Sequence, residues 1–362
     1  MGRGYAISAE QLAALRAVVS DNRAATLEDL CQKWEEQSGV RVCTLTMRQA
    51  LRRAGLKREV VKPAIRDTQI DAARRYGYTE AHRRRVEDTS KYASCLTDAE
   101  WELAADLFVP PAGGRGRPSV YSKRSMVDAC CYVLRGGSSW RMLPKSFPPW
   151  LAVHRAFLRW AEQGKFEELH DRLRSQWRER LGRTASPTAA VIDSQSTRGS
   201  PQGGEHGFDA AKKVKGRKRH IVVDTLGLLL AVSVTAASVQ DRDAAPEAVA
   251  MACAKHPTIE RLFADNGYTG RCAASLEDAQ KIKVEIVRRP SKIGVWNSAQ
   301  LPLFESNAGF VILPKRWVVE RTHAWIEQSR RCVMHYDRST TAAVAWVWLS
   351  QARNLLRRLS GV

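Results

Sequence analysis

Apolar positions recur at helical spacing over the first half of the chain, and strand-like runs appear only after about residue 187. Near the start, Thr26 and Asp29 mark a helix N-terminus, and Leu27, Leu30 and Trp34 follow until Gly39 breaks the run. A second helix is predicted over residues 45–54, stopped by Gly55. Its apolar face is Met47, Ala50, Leu51 and Ala54, and its other face carries Arg48, Gln49, Arg52 and Arg53. Two short helices across a tight connection, the second basic outside, fit a helix-turn-helix. A small bundle with a solvated basic face is the bland alternative.

Residues 61–94 are polar, with basic clusters at Arg74–Arg75 and Arg83–Arg85, and read as a basic linker. Residues 95–182 form a second helical region. Thr97 with Glu100 is a capping box, residues 123–135 are an apolar helix, and Phe147-Pro148-Pro149-Trp150 opens another. Between them lies Gly-Gly-Arg-Gly-Arg-Pro over 113–118, a flexible loop whose Arg115 and Arg117 resemble the core of a minor-groove hook. Five strands are predicted in residues 183–362: 189–192, 220–224, 228–235, 262–264 and 284–287. They alternate with helices over 243–255, 271–282, 314–336 and 340–359, so this region is α/β with a five-stranded mixed sheet.

Charge adds a partner to this outline. The chain of 362 residues has a formal net charge of +20, and all four regions contribute. An excess spread this widely suits a polyanion held over an extended surface, and double-stranded DNA is the natural candidate. The longest apolar stretch, 226–239, is too short for a membrane span, which needs about 20 residues. The N-terminus lacks the apolar core of a signal peptide, and a cytoplasmic protein is expected. Eight cysteines form no Cys-x-x-Cys pair, so zinc is not expected, and the adjacent Cys130 and Cys131 read as small core hydrophobes.

Candidate chemistry lies in three acids. Asp193 and Asp265 each end a short apolar strand, where a charge is costly unless it is paired or binds a cation. Glu320 lies in the helix over 314–336, with Arg316, His323 and Glu327 near the same face. Two strand-end aspartates and a helical glutamate can converge on two divalent ions, which stabilise the attacking and leaving oxygens of a phosphoryl displacement. Hard oxygen ligands and a phosphate substrate favour two Mg2+ ions, with Mn2+ an acceptable substitute. Asp224 is the rival read as a turn residue, and Asp241 and Asp243 are read as helix caps. Between the first two strands, Lys212, Lys213, Lys215, Arg217, Lys218 and Arg219 follow the glycines Gly203, Gly204 and Gly207. This reads as a mobile basic loop that holds a DNA backbone across the acidic site.

VIDSQSTRG, GFDAAKKVKGRKRHIVVDTLGLLLAVSVTAASVQDRDAA, FADNGYTG and RWVVERTHAWIEQSRR resemble the transposases of the insertion-sequence-five family. The segments CLTDAEWELAADLFVPP and GRPSVYSKRSMVDACCYVLRGGSSWRMLPKSFPPW are similar to that family's N-terminal helical region, so the resemblance covers about residues 95–360. It implies a bacterial DDE enzyme on an RNase H-like fold, with Asp193, Asp265 and Glu320 as the catalytic and metal-holding acids and the first and fourth strands adjacent. Metal-activated water would free a 3′-OH at the element's end, and that hydroxyl would attack target DNA. Arg316 and Arg321 would neutralise flanking phosphates, the helical regions would read terminal inverted repeats, and a homodimer or larger synaptic assembly would join two ends. The work would be done in the bacterial cytoplasm, at the nucleoid. Leu313 stands where the family usually has Tyr, and Glu327 where it has Lys. Residues 1–60 are an extension that the family often lacks. The rival readings are a DNA-binding regulator and an RNase H-like nuclease without strand transfer.

Overall fold

In the computed structural model, Gly39 and Gly55 end helices of the N-terminal unit with left-handed backbone (φ +71° and +73°), a conformation that glycine adopts without strain. The structure describes residues 7–8, 10–22, 25, 27–56, 92–109, 120–201, 204–287 and 316–361. The chain forms two units, Met1–Tyr76 and Gly77–Val362. The expected linker over 61–94 therefore lies almost wholly outside the described residues, as do Arg115 and Arg117.

Among the described residues, the first unit has three helices: α1 (Leu12–Asp21), α2 (Leu27–Ser38) and α3 (Thr44–Arg53). Leu15, Val18, Leu30, Trp34, Met47 and Ala50 form its core. Helices α2 and α3 lie where the pattern predicts them. Helix α1 adds a third; its run Leu-Ala-Ala-Leu-Arg-Ala-Val-Val has apolar residues nearly all round, so no stripe singles it out. On α3, Arg48, Gln49 and Arg52 are exposed, whereas Arg53 donates from Nη1 to the carbonyl of Ile7 at 3.0 Å.

The second unit starts with helices. Thr97 and Glu100 form the expected capping box on α4 (Asp98–Glu102), followed by α5 (Ala105–Phe108). Then come α6 (Lys123–Gly136), α7 (Trp150–Glu162) and α8 (Lys165–Arg180). Six strands follow: β1 (Ala189–Arg198), β2 (Gly207–Asp209), β3 (Val214–Asp224), β4 (Leu229–Ala236), β5 (Arg261–Ala264) and β6 (Lys283–Ile286). Helix α9 (Asp241–Lys255) follows β4, and α10 (Arg271–Gln280) precedes β6. The chain closes with α11 (Arg316–Glu327), α12 (Arg330–Val333) and α13 (Thr340–Ser360).

The sheet order is β2-β3-β1-β5-β6, with β4 also paired to β3. Strands β1 and β3 run antiparallel, while β1, β5 and β6 run parallel. This mixed sheet with flanking helices is the RNase H-like α/β arrangement. One core joins α6, α7, α8 and α13 to the sheet, so the helical region over 95–182 and the strands share a single interior. Helix α13 explains why: Trp346, Val347, Trp348 and Leu349 are consecutive and all buried, which requires cover on every side.

Three expectations are corrected. Among the described residues the sheet has six strands rather than five, because β2 is three residues long and shows no alternation. The strand expected at residue 220 starts at Val214 and takes in four of the six residues of the basic run. The helix expected over 314–336 is broken between α11 and α12, where the buried Ser329 hydroxyl pairs with that of Ser350 on α13 at 3.1 Å.

Asp224 fills the turn role expected of it. Its Oδ1 accepts from the backbone N–H groups of Leu226 and Leu228 at 2.9 Å each, and its other oxygen binds Arg178 of α8. Both side chains are buried, so Asp224→Asn leaves Arg178 charged and uncompensated; urea melts should show a loss of about 3–5 kcal/mol, and a loss below 1 kcal/mol would contradict the pairing.

Burial also holds His220 and His256 down to about 4 and His335 down to about 3. An unfolded chain binds these protons near pH 6.5. Stability is therefore complete above that pH and declines as pH falls toward 4, by up to about 1.4 kcal/mol per pH unit for each histidine. Melts at pH 7.5, 6 and 5 should show a falling midpoint, and a flat profile would be contrary.

Candidate active site

Strand pairing brings the first two acids together. Parallel β1 and β5 pair Ala189 with Arg261, Ala190 with Leu262 and Val191 with Phe263. Carried forward at the same offset, that register points Asp193, midway along β1, toward Asp265, which directly follows β5. Carboxyl ends of strands are where α/β sheets place their ligands. Both aspartates line a small crevice with Val191, Phe263, Val287 and Val319. Asp265 also caps the short turn Asn266–Tyr268, accepting from the N–H of Gly267 at 2.8 Å.

The third acid comes from α11. Val319 reaches into the crevice, and the next residue, Glu320, is exposed. One turn on, His323 Nε2 lies 3.6 Å from Asp193 Oδ2. Burial, and after it Arg219 and Lys212, pushes His323 down to about 3, so it faces Asp193 as a neutral imidazole rather than as an ion-pair partner. Another turn on, Glu327 accepts from Gln195 Nε2 at 2.7 Å. The expected face of Glu320, His323 and Glu327 therefore lies along β1. Arg316 opens the helix, but its side chain lies outside the described residues.

The seat of α11 is built from polar ties. Thr322 donates to the carbonyl of Gly227 at 2.7 Å, and Arg321 Nη2 donates to that of Leu226 at 2.8 Å. Gly227 has φ +79°, and a Cβ there would meet Thr322 Oγ1 at 2.9 Å. Arg321 stacks on Trp317 (4.3 Å) and Trp325 (4.6 Å), and Arg358 of α13 covers the same Trp325 at 4.4 Å. The guanidinium expected to meet DNA phosphates is thus held by protein groups, because it fills the space between two indoles of its own helix.

The basic run divides in two. Arg217, Lys218 and Arg219 are buried in β3 and do not form part of a mobile loop. Arg217 donates to the carbonyls of Glu205 and Asp337 at 2.8 and 2.9 Å. Lys218 Nζ lies 3.4 Å from Asp209 and 2.8 Å from Asp241. Arg219 donates to the carbonyl of Cys332 at 2.9 Å and to Gln195 Oε1 at 2.7 Å, continuing to Glu327. The reason is position: β3 has β1 on one edge and β2 and β4 on the other, and helices or loops cover its faces. Lys212, Lys213 and Lys215 remain exposed, and Lys212 Nζ donates to the carbonyl of Ser194 at 3.2 Å, next to Asp193.

Other expectations shift with this network. Gln240, not Asp241 or Asp243, occupies the N-cap of α9, and Asp241 binds Lys218 instead. Two residues escape sequence reasoning. Gln195 carries no charge to flag it. Tyr268 is buried, and its hydroxyl is raised well above the ordinary value by burial and then by Asp193, Asp241 and Asp265, so it lies within the field of three acids.

The donor set fits a hard divalent cation. Its atoms are carboxylate oxygens, two of them on adjacent strands and one on the exposed rim. Among the described residues, no three His, Cys, Asp or Glu side chains already close into a metal cage. His323 is buried with no hydrogen-bond partner on either ring nitrogen.

Comparisons with known proteins bear on the same residues. Residues 184–355 match the model of the transposase DDE domain, and residues 96–170 match that of a putative transposase of the IS4/5 family. A putative transposase for insertion sequence element IS402 of Burkholderia cepacia is 33% identical over 159 residues, 41% of this chain and 65% of the relative. The uncharacterized protein y4sN of Sinorhizobium fredii (strain NBRC 101917 / NGR234) is 34% identical over 74 residues, 20% of this chain and 58% of the relative. The chain thus spans less than two thirds of the length of either relative. No solved structure matches. The DDE match contains Asp193, Asp265 and Glu320, the helical match covers α4 to α7, and together the two matches support a DDE transposase of the IS4/5 type.

Proposed function

We propose that the protein binds the terminal inverted repeats of an insertion sequence, cleaves at the ends and transfers the freed 3′-OH strands into target DNA. The observation that carries this is the crevice that Asp193 and Asp265 line together, with Glu320 on the helix whose Val319 enters it. These three side chains would hold divalent ions, Mg2+ by preference for hard oxygen ligands and Mn2+ in its place. When bound, such ions make a water or hydroxyl oxygen a better nucleophile and stabilise the charge on the leaving oxygen. Lys212 stands beside Asp193 and would contact the phosphate next to the cut. His323 packs against Asp193 and restricts its rotamer. Lys213 and Lys215 would hold the backbone beyond. Arg48 and Arg52 on α3 would reach DNA as the reading face of a helix-turn-helix, and Arg115, Arg117 and Arg316 keep their expected roles as DNA contacts. Arg53, Arg217, Lys218, Arg219 and Arg321 are assigned to support of the fold. Two ends must be joined, so a homodimer or larger assembly is expected, acting on the nucleoid in the cytoplasm.

The test is a duplex ending in the inverted repeat that brackets the gene, incubated with protein and Mg2+. Cleaved 3′ ends and joined products are expected. Asp193→Asn, Asp265→Asn and Glu320→Gln should each lower cleavage by roughly a thousandfold, the several kcal/mol that metal ions contribute, with DNA binding kept. Unchanged cleavage in any of the three would overturn the site, and cleavage without joining would identify a nuclease.

Arg321→Gln loosens the seat of Glu320 without touching DNA. It should lower the cleavage rate about tenfold and raise the Mn2+ concentration needed for half-maximal rate, at unchanged DNA affinity, with Arg321→Lys intermediate. A loss of DNA affinity instead would return Arg321 to the phosphate contacts.

A further inference from the structure

At the far end of β1 from Asp193 lies an open cleft of ≈ 460 Å³, lined by Arg198, Gly199, His206, Lys213, Lys215 and Met334 among others. Three of these are cations, and no carboxylate is among the lining residues described. Arg198, Lys213 and Lys215 are all exposed.

The cleft is built, not incidental. Its floor is tied down by Ser200 N–H donating to the carbonyl of His335 at 2.8 Å and His335 N–H donating to that of Arg198 at 2.8 Å. Buried Arg217 anchors the same corner. Two glycines permit the close approach that forms it. A Cβ on Gly199 would meet the His206 ring at 1.9 Å, and one on Gly216 would meet the Thr197 carbonyl at 2.0 Å. Lys213 has φ +53°, a left-handed conformation that a side chain adopts only under strain. Asp209 holds that turn by accepting from the N–H groups of Ala211 and Lys212 at 3.0 Å each. A strained backbone here delivers a lysine into the cleft.

Position says what the cations meet. Lys215 lies on the face of Asp193, six residues along β3 from Ile221, the ladder partner of Asp193. About 20 Å at strand rise matches about six base pairs of duplex, while Arg198, at odd spacing from Asp193, ends β1 on the other face and lines the cleft from that side. Lys215 is paired across the ladder with Phe208, an exposed ring on the edge strand β2. Paired residues in an antiparallel ladder share a face, so an apolar plate stands beside the cations.

We propose that this cleft is a second phosphate-binding site, separate from the acidic one, which grips the backbone of double-stranded DNA about six base pairs from the bond that is cut. Phe208 packs against the sugars of the same segment. The inference rests on the DNA-cleaving reading above but can fail without it.

The test uses the full chain and a 30-base-pair duplex of arbitrary sequence, with affinity followed as KCl is raised. The triple variant Arg198→Ala/Lys213→Ala/Lys215→Ala should flatten the slope of log K against log[KCl] by about 0.9 for each lost phosphate contact. Lys213→Gly relieves the backbone strain, so it should melt no lower than wild type and still lose one such step. Phe208→Ala should weaken binding severalfold at an unchanged slope. On a duplex ending in the inverted repeat, methylphosphonates placed four to seven positions from the cut should weaken binding of wild type and not of the triple variant. An unchanged salt slope in the triple variant and in Lys213→Gly, or equal methylphosphonate effects in both proteins, would overturn the proposal. If wild type binds DNA and shows the slope change but never cleaves, the cleft stands and the catalytic reading falls.

Discussion

Two carboxylates on neighbouring parallel strands repel each other. Counter-charge nearby offsets that repulsion. The adjacency of β1 and β5 puts Asp193 and Asp265 in one crevice, and much of the surrounding structure can be read as its consequence. Lys212 lies one residue away, His323 presents a neutral ring, and α11 brings Glu320 to the rim rather than burying a third charge. A site with this much negative charge is suited to cations that arrive with a phosphate substrate.

Holding that arrangement falls to the buried cations of β3. Arg217, Lys218 and Arg219 alternate between the two faces of one strand, and each bonds a different segment: the loop after α12, the start of α9, and Gln195 with the carbonyl of Cys332. The chain from Arg219 through Gln195 to Glu327 fixes the slide of α11 along β1, and hence the distance from Glu320 to Asp193. Glu327, where the resembled family usually has lysine, is therefore a partner for Gln195 in this chain. The same basic run thus serves two ends: its buried half locks the sheet to its helices, and its exposed half faces the solvent where DNA would lie.

The acids were legible because each aspartate ends an apolar run abruptly, and the capping box and helix-stopping glycines were legible because their chemistry is local. The roles of Arg217, Lys218 and Arg219 were not. In sequence a lysine and arginine cluster looks solvated, and only the pairing of β3 on both edges reveals that water is excluded from it. Strand β2, the break at Ser329 and the burial of Tyr268 likewise depend on partners distant in the chain. Arg321 looked like a phosphate ligand for the same reason: its flanking indoles, at positions 317 and 325, are visible in the sequence, but their stacking on it is a property of the packed helix.

The central claim is that Asp193 and Asp265 together hold a divalent ion. Electron paramagnetic resonance of Mn2+ titrated into the full chain with a 30-base-pair duplex measures this directly. Saturable loss of the free-ion signal is predicted for the wild-type protein, with the bound fraction abolished in both Asp193→Asn and Asp265→Asn. Equal Mn2+ uptake by wild type and the two variants would contradict the account.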